Sequence, residues 1–163
     1  MKLTDILGRA KFAAANSKAR YHLGAGGMHP DAPLPENADK QCDCSGFVSW
    51  CIGEKRQTTN EFYVNENGGW IETTAVCKDA EKGGGLFTKV ETPQPGDIIV
   101  WPDGGGHQGH IGIVSEVADG KAAKVIHCSK GNDNKYNLAI HETDADIFHD
   151  HDAKTVRFDK AEI

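Results

Sequence analysis

Nowhere in the chain do about 18 consecutive apolar residues occur, so nothing in it reads as a membrane span. The opening Met1-Lys2-Leu3-Thr4-Asp5 carries charges where the apolar core of a secretion signal would run. The expectation is therefore synthesis in the cytoplasm, with any work outside the cell needing a dedicated export route. Positive charge is also short. The formal net charge is −6, which argues against a nucleic-acid partner or an anionic membrane surface. Cysteines are few and odd in number, five in all, and without a secretion signal free thiols are expected rather than a disulfide framework. Aromatics make up only 7% of the residues, whereas 19 glycines promise many turns. No internal repeat interrupts the 163 residues, and that length suits a single domain spanning 1–163 with its own core.

The first half reads as helices. Leu3, Leu7, Ala10 and Ala14 fall on one helical face, with Thr4 expected as the cap. Glycines and prolines mark 21–40 as a loop. Cys44 to Ile52 is apolar almost all round, as a buried helix would be, and Gly53 suits its end. A further short helix is expected near 73–81. The second half reads as strands: Ile98 to Trp101 after the Pro95-Gly96-Asp97 turn, Ile111 to Val117, Lys124 to Cys128, and Thr155 to Phe158 closing the sheet. Helices followed by an antiparallel sheet make an α+β fold.

Asp119-Gly120 between two of these strands is a hairpin signal. A two-residue turn there pairs 118 with 121 and 112 with 127. His110 and His127 then share one face as diagonal neighbours, roughly 7–8 Å apart at Cα. The opposite face would carry Ile111, Ile113, Val117, Ile126 and Cys128. A one-residue bulge would break the alignment.

Cys44 begins its helix within Asp43-Cys44-Ser45-Gly46-Phe47-Val48. Helix N-terminal N–H groups and a nearby imidazolium both favour a thiolate, so Cys44 is the candidate nucleophile and His110 its base. His127 would hold the other ring nitrogen of His110. Such a site needs no cofactor or metal. Cys42, Cys44 and Cys128 with a histidine would alternatively suit a zinc-stabilised binding module without catalysis. The acidic stretch from His141 to Asp152, and His107 in its glycine-rich turn, read as solvated loops.

Asp-Cys-Ser-Gly-Phe-Val, Pro-Gly-Asp before a strand, His-Ile-Gly-Ile-Val and Val-Ile-His together resemble the NlpC-type papain-like cysteine peptidases of bacterial cell walls. The resemblance covers Tyr21 to Ser129. It implies a papain-like fold, with N-terminal helices and the nucleophile at a helix start packed on the antiparallel sheet. It also implies cleavage of peptidoglycan stem peptides, typically between D-Glu and a diamino acid. Cys44, His110 and His127 take the positions of nucleophile, base and polar third member. Tyr21, Asp43 and Ser45 take substrate-contact positions, with Asp43 meeting the free amino end of the stem. Related folds act as amidases at the glycan–peptide junction or as acyltransferases. An exported effector of this kind would have an inhibitor or immunity protein as partner.

Overall fold

A computed structural model describes residues 1–163. Along the chain run α1 (Leu3–Asn16), β1 (Arg20–Tyr21), β2 (Gln41–Cys42), α2 (Cys44–Cys51), α3 (Glu61–Asn67), α4 (Thr73–Lys82), β3 (Phe87–Lys89), β4 (Ile98–Trp101), β5 (His110–Ala118), β6 (Lys121–Cys128), α5 (Lys130–Tyr136), β7 (Ile140–Asp144), α6 (Asp146–Asp150) and β8 (Lys154–Phe158). Strands β3 to β8 form one antiparallel sheet in the order β3-β8-β4-β5-β6-β7, and β1 pairs with β2 in parallel. The fold is α+β and consistent with a papain-like arrangement.

Helix α1 buries Leu3, Ile6, Ala10 and Ala13, with Leu7 and Ala14 only partly covered, so the apolar stripe is rotated from the expected one. Its cap is Lys2, not Thr4: the Lys2 N–H donates to Asp5 Oδ2 at 2.7 Å. The final strand β8 does not close the sheet at an edge but lies between β3 and β4. Asp97, fully buried, holds it there by accepting from Arg157 Nε at 2.7 Å and Nη2 at 2.8 Å. The turn before β4 needs its glycine. Gly96 has φ +99°, and a Cβ there would sit 2.3 Å from the carbonyl oxygen of Leu3.

The sheet has two apolar faces. Helices α1, α2 and α4 cover one, over Ile98, Val100, Ile111, Ile113, Ile126 and Cys128. The other face carries Ile99, Trp101, Val114 and Val125, and Phe148 of α6 packs there.

Asp119 (φ 53°) and Gly120 (φ 74°) make the tight turn of the β5–β6 hairpin. Ala118 pairs with Lys121 and Val117 with Ala122, then Glu116 with Lys124 and Val114 with Val125. Ala123 is thus an extra residue on β6 and Ser115 an extra residue on β5. The two irregularities have opposite sense and cancel. Ile113 pairs with Ile126, the register an uninterrupted hairpin would have had, and Gly112 comes to lie against His127. Glu116, paired with Lys124, lies between the irregularities. Val117, on the turn side of both, falls on the second face with Val114 and Ala122 rather than joining Ile111 and Ile113 as expected.

Candidate active site

Helix α2 starts where a glycine loop lies on its first turn. A Cβ on Gly46 would meet the Ala25 carbonyl oxygen at 2.7 Å, and one on Gly27 (φ +75°) would meet the Gly46 oxygen at 2.4 Å. The glycine of the Asp-Cys-Ser-Gly element therefore serves close backbone approach. Asp43 is the N-cap: its Oδ1 accepts from Gly46 N–H at 2.9 Å. Its Oδ2 accepts from Gly24 N–H and from Arg56 Nη2, each at 2.7 Å. The residue is 1% exposed and every partner is within the protein, so its carboxylate caps the helix and pairs with Arg56. Direct contact with the amino end of a stem, expected from the resemblance, is not what this environment offers.

Cys44 is the first residue of α2 and 5% exposed. Its Sγ lies 3.9 Å from Ser45 Oγ and is not hydrogen-bonded to His110. Burial, and then the neighbouring Asp43 carboxylate, push its thiol up to about 12. Burial thus opposes the helix start, which favours the thiolate. Ser45 is itself buried, and its carbonyl accepts from Ser49 Oγ at 2.8 Å.

On the sheet, His110 Nε2 and His127 Nδ1 are 2.7 Å apart, with ring centroids at 4.9 Å. The hairpin register thus brings together the two histidines that sequence spacing paired. His127 Nε2 continues to Thr143 Oγ1 at 2.8 Å. His110 makes no hydrogen bond through Nδ1. Phe148 stacks on His110 at 5.4 Å and meets His127 edge-on at 5.5 Å. Burial, then His127 and His151, hold His110 down at about 3; burial, then His141, hold His127 at about 4. Both rings are neutral at pH 7.

A cleft opens beside this pair, lined by Tyr21, Trp101, His110, His127, Ser129 and Ile147 among others. Cys44 does not line this cleft, whereas Tyr21 does. Burial raises its phenol above the ordinary range, and after burial the charges of Cys44 and Asp43 raise it further. A second depression, lined by Tyr136, Glu142 and Thr143, continues from it and shares His127, Ser129, Gly131 and Ile147.

None of the remaining histidines and thiols lines the cleft, although His151 stacks on Trp101, which does. His107 is exposed in a turn closed by the Gly104–His107 bridge, as expected of a solvated residue. The stretch from His141 to Asp152 is no loop: it forms most of β7 and α6, His149 Nε2 bonds the Ala122 carbonyl at 2.8 Å, and His151 stacks on Trp101 at 4.2 Å. No group of three metal-ligating side chains converges anywhere. Cys42 Sγ donates to the Asp43 carbonyl and Cys128 Sγ to the Cys42 carbonyl, so the zinc reading of these thiols has no geometric basis.

Thr143, Phe148 and Arg56 stand at the site without having been expected there. Thr143 and Phe148 arrive on β7 and α6, which no periodicity distinguished in a polar stretch. Arg56 lies 13 residues beyond Asp43 in the irregular segment after α2, and no spacing rule pairs the two.

The CHAP domain family matches residues 35–132, which is more than half of the chain. Cys44, His110 and His127 fall inside the matched span, whereas Tyr21, Thr143 and Phe148 fall outside it. No curated protein matches the sequence.

Proposed function

The chain belongs to the CHAP domain family, found in NlpC/P60-like and amidase cell-wall hydrolases, and on that premise we propose that it cuts an amide bond of peptidoglycan stem peptides by thiol catalysis. Family membership carries the coarser statement, a cysteine or amidase type of peptidoglycan hydrolase. The finer reading, cleavage between D-Glu and a diamino acid through Cys44, His110 and His127, is our own.

One observation supports it above the others: His110 is tied through Nε2 to His127 at 2.7 Å, while its Nδ1 makes no bond. A base held at one nitrogen and open at the other is the arrangement nucleophilic catalysis requires. The thiol and imidazole are both neutral at rest, so the Cys44 proton passes to His110 Nδ1 as the sulfur attacks the carbonyl carbon. The N–H groups at the start of α2 face the developing oxyanion. The C–N bond then breaks and the imidazolium returns its proton to the leaving amine. Water adds to the thioester, giving its proton to Nδ1; the C–S bond breaks and the thiolate recovers that proton. Tyr21, at the cleft wall, contacts the stem. The wall would be reached by export or lysis, or the substrate would be a soluble wall fragment.

The test is mass spectrometry of purified muropeptides incubated with wild-type protein, Cys44→Ala and His110→Ala. New fragments from the wild type alone are expected, and their masses name the bond. A cut at the glycan–peptide junction would replace the stem-peptide reading with an amidase, and identical fragmentation by Cys44→Ala would remove the thiol from the mechanism.

A further inference from the structure

We propose that Thr143 is a positioning residue whose hydroxyl fixes the ring tautomers of His127 and His110, so that the base presents its lone pair on Nδ1. The inference rests on the reading of His110 as base.

The bonds at Thr143 allow one arrangement of protons. Its Oγ1 is 2.9 Å from the Asp144 carbonyl oxygen and 2.8 Å from His127 Nε2. A carbonyl oxygen can only accept, so the single hydroxyl proton goes to Asp144. Oγ1 must then accept from an Nε2–H of His127. A neutral imidazole carries one proton, which leaves His127 Nδ1 as an acceptor. Across the 2.7 Å contact the donor is therefore His110 Nε2–H. His110, neutral as well, is left with its lone pair on Nδ1, the nitrogen without a partner in the protein. Three bonds in series thus carry an instruction from a backbone carbonyl on β7 to the base on β5.

The sheet makes the relay possible. His127 pairs with His141 and Val125 with Thr143, so Thr143 is a diagonal neighbour of His127 on the same face. Strand β7 is the edge of the sheet, and Thr143 is only half-buried. A threonine there adds little to the core, so replacing its hydroxyl tests the relay more than the fold. Other titratable groups around the pair are His151 and His141, with Glu142 and Asp144 beside Thr143 on β7. Glu142 Oε1 accepts from Ser115 Oγ at 3.1 Å and Asp144 Oδ1 from the Asp146 N–H at 3.0 Å.

The experiment compares wild type, Thr143→Val and Thr143→Ser in the full chain, each with nitrogen-15-labelled histidine. In the wild type, the His127 Nε2 and His110 Nε2 signals are expected in the protonated range and both Nδ1 signals in the unprotonated range. In Thr143→Val the His127 signals average between tautomers. Muropeptide kcat falls about tenfold, the scale of one hydrogen bond, with KM within about twofold. Thr143→Ser keeps the wild-type spectrum and a kcat within about twofold. The opposite tautomers in the wild type overturn the proposal. So does a change in kcat without a change in tautomer, or the reverse, and so does a serine variant as slow as the valine one. If the wild type cuts no muropeptide, the proposed function fails, while the nitrogen spectra still decide the tautomer assignment.

Discussion

Gly112 leaves no room beneath His127: a Cβ on Gly112 would lie 3.0 Å from His127 Cβ and 2.5 Å from Val125 Cγ1. The glycine of His-Ile-Gly-Ile-Val is therefore what lets the two imidazoles meet. Gly112→Ala should push the His127 ring off His110. A displacement of about 1 Å at a catalytic group costs roughly a hundredfold in turnover, and overpacking costs about 1–3 kcal/mol of stability. Turnover measured beside a thermal melt checks this. Wild-type activity in a folded Gly112→Ala protein would mean that the 2.7 Å contact is dispensable.

Asp43 and Arg56 form a buried pair, with side chains 1% and 6% exposed. Removing one member leaves the other charge without compensation. Asp43→Ala should lower unfolding stability by about 3–5 kcal/mol, including the lost helix cap. Urea denaturation measures it, and a loss below about 1 kcal/mol would contradict the structural role. Kinetics give a second check. If the carboxylate is used up inside the protein, Asp43→Asn should not discriminate between stems with free and with blocked amino ends.

Much of this geometry was legible because it is local or follows strand alternation. The start of α2 at Cys44, the turn at Asp119-Gly120 and the shared face of His110 and His127 all come from short-range rules. A single bulge would break that shared face, and the hairpin carries two irregularities. The face is kept because the extra residues at Ala123 and Ser115 offset each other, which no pattern in the sequence announces. Val117 marks the price of reading alternation straight through such a region. The ionisation of Cys44 is legible only in part: helix position can be read from sequence, but the burial that opposes it is set by tertiary packing.

That burial has a kinetic signature. With the thiol pushed up to about 12 and His110 held near 3, the free enzyme keeps almost no thiolate at neutral pH. The thiolate fraction then rises tenfold per pH unit below the thiol pKa. Alkylation of Cys44 by iodoacetamide should climb by about that factor per unit between pH 7 and 10, without a plateau. Mass spectrometry of the modified peptide isolates Cys44 from the other four cysteines. A plateau reached below pH 7 would instead reveal a standing thiolate–imidazolium pair.

Phe148 ties the acid response of the protein to the site. Fully buried, it stacks on His110, meets His127 edge-on and lies 5.2 Å from the Trp101 ring. It helps keep water from both imidazoles, and burial is the largest cause of their lowered pKa values. The unfolded chain protonates a histidine near pH 6.5, whereas the folded chain waits until about 3 for His110 and about 4 for His127. Between those limits the unfolded state binds more protons, so stability falls as pH drops below about 6.5. Phe148→Ala should cost about 3–5 kcal/mol at pH 7 through the lost packing. It should also admit water, raise both histidine pKa values toward 6.5 and flatten the decline in stability between pH 6.5 and 4. Proton NMR titration of the imidazoles, with denaturation curves at several pH values, separates the two effects. An unchanged slope with unchanged histidine titration would show that some other group, not the Phe148 ring, keeps the pair dry.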